Sequence, residues 1–191
     1  MEFFVTHQAV DHYSGDCSVA FASKDKSNDN RIIQTYLDLH RFEPKLASTL
    51  MLGKVEGYKS KRVLVVGLGE SPLTKKSFIK ALKSLSSAMS ESKVKNVVIP
   101  SIDVEDSNES WIQTTTARVL KNENYEVNKV GVKKEKRDVV LEAVNLYSEN
   151  NGASEIQKGV AIANGMALTR ELGDLPPNIC TPTYIADTAK S

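Results

Sequence analysis

A chain of 191 residues suits one domain with a short appendage. Its hydrophobic fraction of 40%, charged fraction of 26% and net charge of +1 are ordinary for a globular protein, and they give no electrostatic reason to expect nucleic-acid or membrane binding. The first residues lack the basic segment and the long apolar core of a secretory signal peptide, and no apolar run reaches membrane-spanning length. We therefore expect a cytoplasmic protein.

The first part of the chain carries short apolar runs separated by polar turns. Residues 2–7 and 17–22 are rich in aromatic, β-branched and small apolar residues, and we predict that they pair as a hairpin. Asn30 can cap a helix that ends near His40. Residues 46–55 fit a strand or a helix, and two glycines in and after this run favour a hairpin arm.

The middle of the chain shows a strand, a helix and a second strand. Residues 62–68 are a continuous apolar run, which is typical of a strand buried on both faces. Residues 74–90 have apolar side chains at helical spacing, with lysines on the opposite side. Residues 95–100 form the next apolar run. This order predicts a right-handed βαβ unit with parallel strands.

The region after residue 100 is more polar and is punctuated by helix-start signals. Ser110 and Gln113 have capping-box spacing and are predicted to open a helix. Residues 126–132 and 137–143 are then predicted as strands, followed by a polar break over 146–152.

A long helix over residues 153–172 closes the pattern. Ser154 and Gln157 have capping-box spacing at its start, and Gly159 allows close packing along one face. The elements together predict an α/β fold: a three-layer sandwich with a mostly parallel sheet and helices on both faces, followed by a linker helix. We expect an N-terminal domain over 1–150, the linker helix over 151–172, and the start of another domain over 173–191.

The last stretch of the chain combines one helix end with one helix start. Gly173 suits a left-handed cap, and Pro176 and Pro177 hold the chain extended. Thr181 is a predicted N-cap, with Pro182 at the first helical position. The helix that starts there has little length before the last residue, so we expect the chain to be a fragment that stops just inside the next domain.

This stretch, LGDLPPNICTPTYIADTAK, resembles the segment that leads into the catalytic domain of the leucyl aminopeptidases, also called cytosol aminopeptidases or M17 metallopeptidases. That family's pattern reads roughly L-x-N-x-P-P-N-x-x-T-P-x-x-L-A. Asp174 stands where Asn is usual, and Ile185 where Leu is usual. RVLVVGLGE and GVAIANGMALTREL are similar to the family's N-terminal domain, whose fold is macrodomain-like. The matching residues are Leu172, Pro176, Pro177, Asn178, Thr181, Pro182 and Ala186.

The resemblance implies a full-length metallo-aminopeptidase that forms a homo-hexamer and releases N-terminal residues, preferably leucine, from peptides. It also implies two divalent ions, manganese or zinc, held by motifs resembling V-G-K-G-x-x-F-D-x-G-G and N-T-D-A-E-G-R. Neither motif occurs in this chain. We therefore assign no catalytic, cofactor-binding or metal-binding residue here, and no cofactor to this fragment. The chain is predicted to be an inactive scaffold and site-access domain, monomeric or weakly dimeric by itself.

A binding module is the alternative that the sequence leaves open. Gly67-Leu68-Gly69 follows a buried strand and could cradle the phosphates of an ADP-ribose-like ligand. Pro72 occupies the place of the third glycine of a dinucleotide fingerprint, so a tight turn is the favoured interpretation. Some family members bind DNA, and a basic turn keeps that possibility open, although the near-zero net charge weakens it. The basic residues are Lys129, Lys133, Lys134, Lys136 and Arg137.

The remaining candidates have structural explanations that we favour. Five potential metal ligands lie close together in the sequence, but their spacing matches no zinc pattern, and a solvated hairpin turn explains them better. His40 lies on a predicted helix with apolar neighbours and is expected to be packed or exposed. Cys180 is predicted to be a small buried apolar residue that forms no disulfide, which favours a reducing compartment. The potential ligands are His7, Asp11, His12, Asp16 and Cys17.

Overall fold

The computed structural model describes residues 1–25, 30–125 and 141–190. The strands are β1 (Glu2–Thr6), β2 (Cys17–Ser23), β3 (Thr49–Leu52), β4 (Arg62–Gly69), β5 (Asn96–Ile99) and β6 (Ala143–Tyr147). The helices are α1 (Arg31–Leu39), α2 (Lys75–Glu91), α3 (Glu109–Glu123), α4 (Ala153–Asp174) and α5 (Pro182–Lys190), with a short 3₁₀ turn at Val10–His12. No helix in these ranges is long and apolar enough to cross a membrane.

The six strands form one sheet in the order β1-β6-β5-β2-β4-β3. Every neighbouring pair is parallel except β3 with β4, which is antiparallel. The hairpin arm predicted within residues 46–55 is therefore confirmed as β3. The predicted α/β class with a mostly parallel sheet is also confirmed.

The two faces of the sheet carry separate cores, as the alternation along β4 illustrates. Val63 and Val65 point into a core that α1 covers with Ile33 and Leu37. Their neighbours in β4 point into a larger core, which α2, α3 and the first half of α4 cover. Because successive side chains of a strand point to opposite faces, a strand between two cores is apolar throughout. The helices on both faces that the sequence predicted are confirmed.

The predicted hairpin between the first two runs is wrong. β1 pairs in parallel with β6, with Glu2 opposite Ala143. β2 lies between β4 and β5 and pairs in parallel with both. The first four residues of β2 are all buried, which is typical of a central strand covered on both faces, whereas β1 is half-exposed at the sheet edge. The connection between them carries the 3₁₀ turn, where the Ser18 hydroxyl donates to the Val10 carbonyl at 2.9 Å.

The strand–helix–strand unit from β4 through α2 to β5 exists, but its strands are not neighbours. Both are parallel to β2, which lies between them. Thr74 caps α2, because its hydroxyl accepts the Ser77 N–H at 3.2 Å. The two strands and the helix predicted for this unit are therefore confirmed. The position of β2 between the two strands was not predicted, because it depends on contacts between distant parts of the chain.

Of the predictions for the later part of the chain, one is wrong in its boundary and two concern residues that the structure does not fully describe. The polar break predicted over 146–152 begins too early, because β6 continues through Tyr147. Val144 and Leu146 of β6 enter the larger core, which places this strand inside the sheet. The strand predicted over 126–132, and most of the one over 137–143, lie outside the described residues.

The helix boundaries of α3 and α4 differ from the sequence prediction. Asn108, not Ser110, caps α3, since its side chain accepts the Trp111 N–H at 2.9 Å. α4 has Gly152 at its N-cap and no side-chain cap, while the Ser154 hydroxyl faces the neighbouring Glu155. At the other end, the helix continues past the predicted cap.

Gly173 is helical, and α4 ends at Asp174, with Leu175 as its C-cap; the φ of −74° and ψ of 137° of Leu175 are extended. A residue before proline is excluded from the helical region, so Pro176 decides where this helix stops. The next helix begins as predicted: the Thr181 hydroxyl accepts the Tyr184 N–H at 3.2 Å, and the Thr181 carbonyl accepts the Ile185 N–H at 3.0 Å.

Candidate functional site

The glycines at the end of β4 were the candidate phosphate cradle, and the structure assigns them to packing. The Gly67 N–H donates to the Ser48 carbonyl at 2.8 Å, and the Gly69 N–H donates to the Pro44 carbonyl at 3.1 Å. A Cβ added at Gly67 would overlap the carbonyl oxygen of Lys45. These two N–H groups are therefore committed to the neighbouring segment of the chain. The glycines allow that segment to approach the strand, and their amides do not face a ligand.

The carboxyl edge of the parallel strands is where α/β sheets usually bind ligands. Here it holds an apolar cavity of about 20 Å³ beneath the start of α3. Such a volume suits a single water, whereas pockets for drug-sized ligands measure roughly 300–1,000 Å³. The cavity thus gives no support to a nucleotide site. Its lining includes Phe21, Phe78, Ile99, Ile112, Glu109 and Leu146.

Beside this cavity, polar side chains converge on one carboxylate. Glu109, in the first turn of α3, accepts hydrogen bonds from the Ser148 hydroxyl, from Gln113 Nε2 at 3.0 Å and from Asn150 Nδ2 at 2.9 Å. Ser148 is fully buried, and its carbonyl lies 2.7 Å from His7 Nδ1. The group joins the ends of β1 and β6 to the start of α3.

The hydrogen bonds of this cluster stabilise the fold by linking three of its elements. The hydrogen bonds from Ser148 and Asn150 lower the pKa of Glu109, so its carboxylate stays ionised as an acceptor. The Ser148 hydroxyl is held between the Glu109 carboxylate and the Asn150 carbonyl, and Ser148 is fully buried, so a substrate cannot reach it. His7 contacts the Ser148 carbonyl oxygen and not the hydroxyl. The sequence analysis did not single out Glu109 or Ser148, because the residues are far apart in the chain and match no motif.

The five potential metal ligands near the start of β2 do not converge. Asp16 Oδ2 lies 2.6 Å from Arg62 Nη2 and accepts the Lys95 N–H at 3.0 Å, so this carboxylate is an ion-pair partner. His7 contacts the Ser148 carbonyl oxygen, which follows β6, and takes no part in this ion pair. Within the described ranges, no group of three or more His, Cys, Asp or Glu residues is arranged to hold a metal. The described residues therefore do not fit the two-metal centre that the resemblance implies.

His40 is exposed at the end of α1, where its N–H donates to the Tyr36 carbonyl. The basic residues from Lys129 to Arg137 lie outside the described residues, so the structure adds nothing to the DNA alternative.

Both cysteines are free, but their environments differ. Cys17 is fully buried in the larger core, and this burial raises the pKa of its thiol to about 12. Cys180 is only partly buried, so the expectation that it would be a buried core residue is wrong.

This contrast predicts the thiol reactivity of the native protein. Because the thiolate is the reactive form, we expect Ellman's reagent at pH 8 to modify Cys180 and to leave Cys17 unmodified until a denaturant is added. The Cys180→Ala variant should then show no reaction in the native state. Rapid modification of the Cys180→Ala variant without denaturant would contradict the buried position of Cys17.

These arrangements define an α/β domain whose polar clusters, in the part of the chain that the structure describes, support the fold. Among the described residues, no group of three or more His, Cys, Asp or Glu side chains is placed to hold a metal. Ser148, whose hydroxyl contacts the Glu109 carboxylate, is fully buried. Comparison with known proteins agrees with a domain of this class. The model of the cytosol aminopeptidase family, N-terminal domain, matches residues 10–134, which is more than half of the chain. The chain therefore belongs to the cytosol aminopeptidase family.

Relatives match along the whole chain. A protein described as "Probable cytosol aminopeptidase" from Vesicomyosocius okutanii is 38% identical over 191 residues, covering 100% of this chain and 40% of the relative. A protein with the same description from Ralstonia nicotianae is 34% identical over 170 residues, covering 83% of this chain and 34% of the relative. The chain thus spans about 40% or less of the length of these curated relatives.

Solved structures share the fold. A mutant of tomato leucine aminopeptidase superposes with a TM-score of 0.74 at 18% identity, covering 100% of this chain and 41% of that one. The bottromycin maturation enzyme BotP in complex with Mn superposes with a TM-score of 0.67 at 17% identity, covering 92% of this chain and 35% of that one. At these identities the likeness concerns the fold alone.

Proposed function

We propose that this chain is the non-catalytic N-terminal domain of a metal-dependent aminopeptidase that releases N-terminal residues, preferably leucine, from peptides. The observation that carries the proposal is the family match over residues 10–134. It is combined with the finding that the described residues contain no group of three or more potential metal ligands. The peptidase chemistry then belongs to the part of the relatives that this chain does not span. Two divalent ions, manganese or zinc, would be held there and would activate the hydrolytic water.

The domain contributes a scaffold and shapes access to the active site. α4 supports this role, because Ile156, Gly159 and Ala163 are buried on one side of it while other apolar side chains of α4 and α5 are exposed. Exposed apolar side chains of this kind are candidates for an interaction surface. We propose that this surface packs against the remainder of a cytoplasmic, hexameric enzyme, with 1–150 as the domain, 151–172 as the linker and 173–191 as the start of the catalytic part. The residues are Ile162, Leu168, Tyr184 and Ile185.

An activity assay tests the proposal. The purified 191-residue chain should release no p-nitroaniline from leucine p-nitroanilide above the buffer rate, with or without manganese or zinc. A full-length family member assayed in parallel provides the positive control, and circular dichroism confirms that the fragment is folded. Metal-dependent turnover by the folded fragment would contradict the assignment of chemistry to the missing part.

A further inference from the structure

The outer edge of β1 presents unpaired backbone groups. The Glu2 N–H donates to the Glu142 carbonyl at 2.8 Å, and the Thr6 carbonyl accepts the Ser148 N–H at 3.1 Å. Even-numbered residues of β1 therefore direct their backbone groups towards β6. Because backbone groups alternate in direction along a strand, the N–H and C=O of Phe3 and Val5 point away from the sheet. No strand among the described residues pairs with this edge.

The edge also lacks the devices that usually prevent pairing. Edge strands are commonly protected by proline, lysine or a β-bulge. β1 reads EFFVT and contains neither residue, and its register with β6 runs without a shift from Glu2 to Thr6. A straight, unprotected edge is a template for another strand.

Apolar surface flanks this edge on both faces of the sheet. Phe4 is 45% exposed on one face. On the other face, an open groove of about 500 Å³ lies between β1 and α4. The outward-pointing N–H and C=O groups of β1 lie between these two apolar surfaces, and another strand would pair with them. That strand would need apolar side chains on both of its faces to cover the two surfaces. The lining of the groove includes Met1, Phe3, Ile156 and Val160, and it also takes in Phe4 and the polar Glu2, Gln157 and Asn164.

We propose that β1 of a second copy of this chain occupies the edge, antiparallel to the first, about a two-fold axis at Phe4. This register places Phe4 opposite Phe4 of the partner subunit, and Glu2 opposite the partner's Thr6. It also places Phe3 opposite the partner's Val5, which are the residues whose backbone groups point outwards. In this register the outward-pointing backbone groups of the two strands meet, and apolar side chains lie opposite apolar side chains. The charges are also compatible, because the two Glu2 carboxylates do not meet.

The resulting dimer joins two six-stranded sheets into one continuous sheet. The phenylalanines form an aromatic pair on one face, and the two copies of the groove close on each other on the opposite face. A five-residue strand gives a small interface. We therefore expect a dimer that forms at high protein concentration and exchanges rapidly.

Cysteine cross-linking tests the register. Phe4 and its partner form a non-hydrogen-bonded antiparallel pair, whose Cα atoms lie about 4.5 Å apart, within disulfide reach. We expect the Phe4→Cys variant, in a Cys180→Ala background, to form disulfide-linked dimer at least about tenfold faster than a matched control. Leu39→Cys in the same background is that control, because Leu39 is 72% exposed and lies on α1.

Sedimentation velocity provides the second measurement. The unmodified chain should sediment faster as its concentration rises, and Phe4→Lys should abolish this dependence because it places two lysines together at the axis. Phe4 is exposed, so both variants should retain the circular dichroism spectrum of the parent. Equal cross-linking rates for the Phe4 and Leu39 variants would overturn the proposal. So would a parent chain that stays monomeric at every concentration, or a Phe4→Lys variant that still self-associates.

Discussion

Replacing Asp16 with alanine should lower the free energy of unfolding by about 3 kcal/mol, because it leaves a largely buried arginine without its counter-charge. The Asp16 and Arg62 side chains are 16% and 27% exposed, and their charged atoms lie 2.6 Å apart. Asp16 also accepts the Lys95 N–H at 3.0 Å, so the substitution removes a second hydrogen bond at the same time. Urea denaturation followed by circular dichroism measures the change.

Two further variants separate the ion pair from a general effect of substitution. Glu70→Ala removes an ion pair with Lys24 whose side chains are 76% and 53% exposed, and it should change stability by less than about 1 kcal/mol. The double variant Asp16→Ala with Arg62→Met removes both buried charges, so it should lose less stability than Asp16→Ala alone. Equal losses for Asp16→Ala and Glu70→Ala would show that the pair does not support the fold.

Replacing Gly159 with alanine should destabilise the protein by roughly 2–3 kcal/mol, because the added methyl overpacks a helix contact. Gly159 of α4 faces α3, where a Cβ would overlap the backbone carbonyl of Thr114 and lie 3.0 Å from the Ala117 Cβ. Backbone cannot rotate away as a side chain can, so the two helices would have to separate. Thermal or urea unfolding of the variant measures this loss.

The same helix offers a matched control. Gly165 has no atom within 4 Å of an added Cβ, and it lies inside α4. Gly165→Ala should therefore stabilise the protein by about 0.5–1 kcal/mol, because alanine has the higher helix propensity. Opposite signs for the two substitutions are expected. Similar effects at Gly159 and Gly165 would mean that α4 does not pack closely on α3.

Features that depend on neighbouring residues could be predicted from the sequence. Asn30 and Thr74 were identified as helix starts, and both side chains accept backbone N–H groups from the first turn. The continuous apolar run of β4 predicted its burial between two cores. The start of α5 at Pro182 followed from Thr181. In each case the signal lies within a few residues, which is the range over which caps and periodicity act.

Features that depend on distant residues could not be predicted in the same way. The order of the strands joins β1 to β6 across most of the chain, and sequence proximity favoured a false hairpin with β2 instead. Gly67 resembled part of a phosphate cradle, because the sequence does not show that a distant segment approaches it and accepts its N–H. The Glu109 cluster was missed for the same reason: its residues meet only after β6 and α3 are placed side by side.

By itself, the sequence determined the α/β class, most of the helices and the family, because periodicity, caps and the segment from Leu172 to Ala186 are all local patterns. Only the tertiary structure decided which strands are neighbours, that Asp16 faces Arg62 rather than a metal, and that the glycines of β4 serve packing. Each of these depends on contacts between residues far apart in the chain, and the free energy of those contacts comes from burying two cores against one sheet.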